Sequence, residues 1–224
     1  MAKQKPRDPP GKERPPATDE AAQPWRLFIA VPLPPPAMRL IGELIATLGA
    51  NDWPVRWIAA DTAHLTLQFL GDTPPERAEL LRLALAPVVA AHAAFALQTD
   101  GLGVFPNPRR PRVLWLGLQG ETEHLAALQR DVNALLRRLA FPFDARPFNP
   151  HITLGRLRDG ADRERDLPAA IERGLTAAAG RLDLAAPRPV PVREVLLVRS
   201  FLSRQGARHE PIGRYPLAAE GGQA

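Results

Sequence analysis

The chain has no cysteine among its 224 residues. That absence excludes disulfide stapling, a thiolate nucleophile and thiolate metal sites. Lysine is nearly missing too: Lys3, Lys5 and Lys12 are the only three, and every later basic residue other than histidine is arginine. No apolar run approaches the roughly 20 residues that span a bilayer, and the N-terminus lacks the apolar stretch of a secretory signal. A cytoplasmic protein without a membrane segment is therefore expected. The net charge of +5, from 29 basic and 24 acidic side chains, points weakly to an anionic partner. It falls short of the dense basic patch of a duplex-binding protein. What is plentiful is apolar side chain, 45% of the chain, ample for one core that buries roughly 70% of the unfolded surface.

Residues 1–24 hold six prolines, charges of both signs and no Ile, Leu, Val, Phe, Tyr or Trp. Such a segment cannot bury enough apolar surface to offset its ordering entropy, so a disordered tail is expected there. A single folded domain is expected over 25–219, with a short disordered end at 220–224. Within the domain, the apolar and β-branched run from Trp25 to Val31 reads as a strand. Leu40, Ile41, Leu44, Ile45 and Leu48 recur at helical spacing between Pro36 and Leu48. Val55–Ile58 and Ala63–Leu70 read as strands. Thr73-Pro74-Pro75-Glu76 reads as a capping box that opens a helix to near Ala90. A loop is expected through Gly101, Gly103 and Phe105–Pro111, then a strand over Arg112–Leu118, a helix capped by Thr122 to near Leu139, and a strand over Phe148–Leu154.

The two halves of the domain repeat one another. Arg26-Leu-Phe-Ile-Ala lies 38 residues before His64, and Arg112-Val-Leu-Trp-Leu lies 39 before His151, with a helix in each interval. His64-Leu-Thr-Leu-Gln-Phe-Leu-Gly-Asp72 aligns with His151-Ile-Thr-Leu-Gly-Arg-Leu-Arg-Asp159, and five of the nine positions are identical. The order and spacing of the flanking strand and helix are kept as well. A duplicated unit with pseudo-two-fold symmetry follows.

Histidine and threonine two residues apart on a strand share a face, while the apolar residues between and beyond them point into the core. Each half thus presents one imidazole beside one hydroxyl. A pseudo-dyad that brings the two pairs to a shared cleft suits in-line displacement at phosphorus. A neutral histidine would activate water as a base, and a protonated one would give its proton to the departing oxygen. The threonine hydroxyls would donate to non-bridging oxygens. A lone histidine on a strand is ordinarily structural, but the duplication argues against that reading. A zinc site wants three or four protein ligands, and His92, His124 and His209 sit in no ligand spacing, so no metal and no cofactor is expected.

These residues resemble the 2H phosphoesterase superfamily, whose mark is two His-x-Thr-x motifs. Arg26-Leu-Phe-Ile-Ala-Val-Pro, His64-Leu-Thr-Leu-Gln-Phe-Leu-Gly, Arg112-Val-Leu-Trp-Leu-Gly and Phe148-Asn-Pro-His-Ile-Thr-Leu-Gly-Arg156 are similar to the bacterial and archaeal RNA 2',3'-cyclic phosphodiesterases, LigT-like proteins formerly called 2'-5' RNA ligases. The resemblance implies an α+β fold, bilobal, with antiparallel sheets lining a central cleft and helices outside. It also implies hydrolysis of RNA 2',3'-cyclic phosphate ends to a 2'-phosphate, with His64 as proton donor, His151 as proton acceptor, and Thr66 and Thr153 holding the phosphate. The implied partner is RNA, as tRNA fragments or oligonucleotides, handled by a monomer. Ligation to a 2'-5' linkage is the same chemistry reversed, and a non-catalytic module that binds nucleotides or RNA ends is the alternative from another class.

Further substrate contacts are expected around this core. Arg156 follows the second motif where the family often places an arginine, although strict alternation points it away from His151 unless Gly155 hosts a bulge. Phe28 and Phe148 are candidates to stack on a base, with burial in the core as the alternative. Arg109, Arg110 and Arg112 form the densest basic cluster, in a proline-stiffened loop able to follow an RNA backbone. Where many relatives carry Gly-x-x-Tyr near the C-terminus, this chain has Gly206-Ala-Arg-His209.

Overall fold

Trp25–Pro32 forms β1, in which Leu27, Ile29 and Val31 point into the main core. Phe28 and Ala30 point to the opposite face, where they cluster with Leu196 and Val198. That two-sided burial marks β1 as an interior strand. The structure is a computed structural model that describes residues 23–143, 146–161, 165–203 and 206–219. The expected disordered segments, up to residue 22 and over 220–224, lie outside those residues.

The chain continues through α1 (Pro35–Gly49), β2 (Val55–Trp57), a single 3-10 turn (Ala60–Thr62), β3 (His64–Thr73), α2 (Pro75–Ala90), β4 (Phe95–Phe105) and β5 (Val113–Gly120). It then forms α3 (Thr122–Arg138), β6 (His151–Leu157), α4 (Leu167–Arg181), β7 (Pro189–Val192), β8 (Glu194–Ser203) and β9 (Gly206–Pro216). All named strand pairs are antiparallel, in the order β7-β4-β5-β6-β3-β1-β8-β9, with β2 added beside β6. The fold is α+β, as expected.

The order is symmetric about the junction of β3 and β6. One lobe is β3-β1-β8-β9 and the other is β6-β5-β4-β7. A single pair, Leu65 opposite Ile152, joins them into one hydrogen-bonded path. The helices cover the main-core face and are exchanged between lobes. Helix α1, which follows β1 in sequence, packs on β2, β6, β7 and α4, whereas α3, which follows β5, packs on β3 and α2. Their apolar stripes, Leu40, Ile41, Leu44 and Leu48 on α1 and Leu125, Leu128, Val132 and Leu136 on α3, are buried in one continuous core. Burial at roughly 25 cal/mol per Å2 of apolar surface makes this exchange a contribution to holding the lobes together. Within one lobe, Tyr215 of β9 ties to α2: its buried hydroxyl donates to the Arg82 carbonyl at 2.9 Å, and burial pushes it up to about 12.

Three local expectations are corrected. Thr73 does not cap α2: it ends β3, its hydroxyl donates to the Gly71 carbonyl at 3.4 Å, and Pro74 occupies the cap position with ψ 143°. A residue that precedes proline is driven out of the α region, so Pro74 cannot be helical when Pro75 follows it. Thr122 is the first residue of α3 and not its cap; Glu121 holds that place, with its carboxylate accepting the Ala96 N–H at 2.6 Å. Gly101 and Gly103 belong to β4 and not to a loop. A Cβ on Gly103 would lie 2.3 Å from Cζ2 of Trp115, so the glycine makes room for that indole across the sheet.

Candidate active site

Among the described residues, the one pairing between β3 and β6 sits at the middle of both His-x-Thr motifs. Leu65 lies between His64 and Thr66, and Ile152 lies between His151 and Thr153. Both leucine-type positions are fully buried, so the alternation of the strands sends both histidines and both threonines to the other face. There they flank the pseudo-dyad on adjacent strands.

Each imidazole is anchored in the same way. His64 Nδ1 lies 2.8 Å from the Thr62 carbonyl, and His151 Nδ1 lies 2.8 Å from the Asn149 carbonyl. A carbonyl only accepts, so Nδ1 carries the hydrogen in both rings and Nε2 is left to exchange protons. The anchors are themselves held. The Thr62 hydroxyl donates to the Ala59 carbonyl at 2.7 Å, and the Asn149 amide donates to the Pro147 carbonyl at 3.3 Å. Neither Thr66 nor Thr153 spends its hydroxyl on another described residue.

Aromatic rings wall the site. Phe28 stacks on His64, with centroids 4.5 Å apart and planes at 24°. Phe105 meets His151 edge-on at 4.9 Å and also touches Trp115 at 5.2 Å. Burial pulls the His64 imidazolium down to about 4, against the raising effect of its bond to Thr62, and nearby His209 and His151 lower it further. Burial also lowers His151, with Arg156 as a further lowering charge. Both rings are therefore neutral at pH 7 until an anion arrives between them.

Arg156 reaches this face through a bulge. On β5, Leu114 pairs with Gly155 and the next residue, Trp115, pairs with Thr153, which leaves Leu154 as the extra residue. Leu154 and Gly155 are consequently both buried, and Arg156 turns outward. Its charge acts on His151, and Arg26 in turn acts on Arg156. The two guanidiniums and His151 thus share one electropositive region. Gly155 is what permits the bulge: a Cβ there would lie 2.6 Å from Cγ1 of Val55 and 2.9 Å from Cε3 of Trp57. Gly155→Ala should cost about 1–3 kcal/mol by overpacking, visible as a fall of several degrees in the thermal midpoint. An unchanged midpoint would show that β2 gives way freely.

The face thus gathers two anchored imidazoles, two hydroxyls that make no hydrogen bond to a described residue, and two neighbouring guanidiniums. Residues 34–200 match the 2'-5' RNA ligase superfamily. The chain belongs to that superfamily. It is 35% identical over 191 residues to an RNA 2',3'-cyclic phosphodiesterase of Geobacillus stearothermophilus, which covers 85% of this chain but only 56% of that relative. It is 30% identical over 168 residues to the RNA 2',3'-cyclic phosphodiesterase of Aeropyrum pernix, covering 75% of this chain and 89% of the relative. The crystal structure of E. coli LigT complexed with 3'-AMP superposes with a TM-score of 0.62 at 26% identity, over 87% of this chain and 98% of that one.

The other residues singled out for this superfamily member divide. Phe28 is 3% exposed, with one face on His64 and its edge region against His209, so it is a wall of the site and leaves no open face for a base. Phe148 packs partly buried against the main core and precedes β6, whose first residue is His151. Arg109 and Arg110 are exposed in the loop between β4 and β5, where both backbone N–H groups donate to Asn107 Oδ1 at 3.1 Å. Arg112 is exposed immediately before β5, with its N–H donating to the Phe105 carbonyl at 2.7 Å. Among the described residues, no hydrogen bond joins Arg109 or Arg110 to either histidine.

Four residues at the site escape a sequence reading. Arg26 was legible in principle, because it alternates with Phe28 and Ala30 on the face away from the core. Phe69 is 52% exposed and faces Phe28 at 6.0 Å, reached through two register shifts between β1 and β3 that no local pattern announces. Phe105 and His209 arrive on β4 and β9, from distant parts of the chain. Among the described residues, no group of three or more His, Asp or Glu side chains is placed to hold a metal. No helix among them is long and apolar enough to cross a membrane.

Proposed function

We propose that the chain hydrolyses 2',3'-cyclic phosphate ends of RNA to 2'-phosphates, with His64 as proton donor and His151 as proton acceptor. The observation that carries this reading is the matched pair of imidazoles, each fixed through Nδ1 to the carbonyl two residues upstream and each with Nε2 available. The shared name of the relatives supports it, as does the 3'-AMP complex of the E. coli neighbour.

His151 Nε2 takes a proton from water as the water oxygen bonds to phosphorus. The bond from phosphorus to O3' breaks in line, and O3' leaves with the proton of His64 Nε2. The anionic phosphate itself draws a proton onto His64, because a nearby negative charge favours the charged ring that burial disfavours. Thr66 and Thr153 donate to the non-bridging oxygens, while Arg156 and Arg26 balance the spreading charge. The same step joins two RNA ends when a ribose 5'-hydroxyl attacks in place of water: O3' again leaves with the proton, the phosphate stays on O2', and the product is a 2'-5' linkage.

The test is incubation with a short RNA ending in a 2',3'-cyclic phosphate, with product identification by phosphorus NMR. A 2'-phosphate at a rate unchanged by chelator is the expected result. A 3'-phosphate would overturn the donor assignment, and binding without turnover would make the chain an RNA-end binding module.

A further inference from the structure

His209 enters the site from β9 and packs edge-on to both rings of the first lobe. Its centroid lies 5.3 Å from that of His64 at 88°, and 5.0 Å from that of Phe28 at 78°. Unlike His64 and His151, it has no carbonyl anchor among the described residues: its Nδ1 is buried with no hydrogen-bond partner there. A buried ring nitrogen left without a partner is uncommon and calls for a reason. In an imidazole it also leaves the tautomer and the proton free to change.

We propose that His209 is a positioning residue for His64: neutral, it walls the ring of the donor, and on gaining a proton it places a second positive charge against that ring and opposes the donor's own proton. This rests on the reading of His64 as proton donor. Other groups around His209 do not supply that control. Ser200, its partner across β8, is uncharged, and the Arg26 guanidinium, paired with Ser200 from β1 on the same face, is present in parent and variant alike. Arg208 and Glu210, its neighbours on β9, alternate to the opposite face and pair with each other at 3.1 Å. Arg199 on β8 lies over Trp25 and Phe201 on that same opposite face. From the 3-10 turn that packs on β9, Asp61 is exposed to solvent. From the other lobe, His151 acts on His64 as a more minor influence than His209 does. Burial lowers His209 itself, so its charging belongs to the acid side of the range.

The sign follows. On the alkaline side His209 is neutral and has no charge to exert. As pH falls through its titration, each protonated His209 makes protonation of His64 harder, and the pair titrates as a coupled unit. The experiment compares the full chain with His209→Gln, which keeps a polar side chain but cannot charge. Histidine ring NMR should show His64 titrating at higher pH in the variant by about half a unit, equivalent to ~3-fold in protonated population. The ratio of kcat/KM, variant over parent, should be ~3-fold higher on the acid side than on the alkaline side, whatever its alkaline value. His209→Phe keeps the edge contact with Phe28 and carries the same expectation should the glutamine variant fail to fold. A ratio flat across pH together with an unmoved His64 titration would reduce His209 to a structural ring and overturn the proposal. Should the parent chain fail to hydrolyse cyclic phosphate ends at all, the functional reading falls, and the His64 titration alone still decides the coupling.

Discussion

Replacing His64 or His151 by alanine should lower kcat on an RNA cyclic phosphate end by about 10^2 to 10^4-fold, the usual range for losing a positioned acid or base. Folding should survive, because both residues are only partly buried and lie on the face opposite the main core, into which Leu65 and Ile152 point. The two variants should then part company on a substrate whose leaving oxygen needs no proton, such as an aryl phosphodiester. His64→Ala should recover most of its lost rate there, whereas His151→Ala should not, since water still needs a base. Equal recovery in both variants would sink the assignment of donor and acceptor. Undiminished hydrolysis by either would sink the mechanism.

Thr66→Val and Thr153→Val should each lower kcat by about 10^2-fold with little change in KM, the behaviour of donors that act on charge developed in the transition state. Valine keeps the β-branched shape that suits a strand, so stability should hold. The pseudo-symmetry makes the comparison sharper than either variant alone. Each hydroxyl comes from one lobe, neither bonds to another described residue, and the double variant should lose less than the product of the singles if both grip one phosphate. A rise in KM at constant kcat would instead mean that the hydroxyls bind ground state and transition state alike.

Much of this site was legible because it is written twice. The alternation His-Leu-Thr-Leu declares a half-buried strand, and its recurrence as His-Ile-Thr-Leu declares a second strand in an equivalent setting. Together they placed β3 and β6 and the four residues at the dyad before any coordinates. What local pattern could not carry was register and partnership across the sheet. The bulge that turns Arg156 out of the core and onto the face of His151 depends on β5 pairing with β6, and Phe69 faces the site only because β1 and β3 slip twice. His209 sits in a stretch with no periodic signal of its own. It reaches His64 only because β9 pairs with β8 and β8 with β1. The failed capping box has a different cause: two consecutive prolines override the threonine, which a motif match alone does not weigh.

The exchanged helices bear on how such a protein came to exist. In each half the helix that follows the first strand covers the sheet of the other half, so a single half-length copy would hold an apolar helix with no sheet of its own to lie on. Two copies that traded helices would satisfy one another. Such a pair already sets one histidine from each chain across its dyad. The polypeptide has the form of such a pair joined end to end, with one histidine supplied by each half.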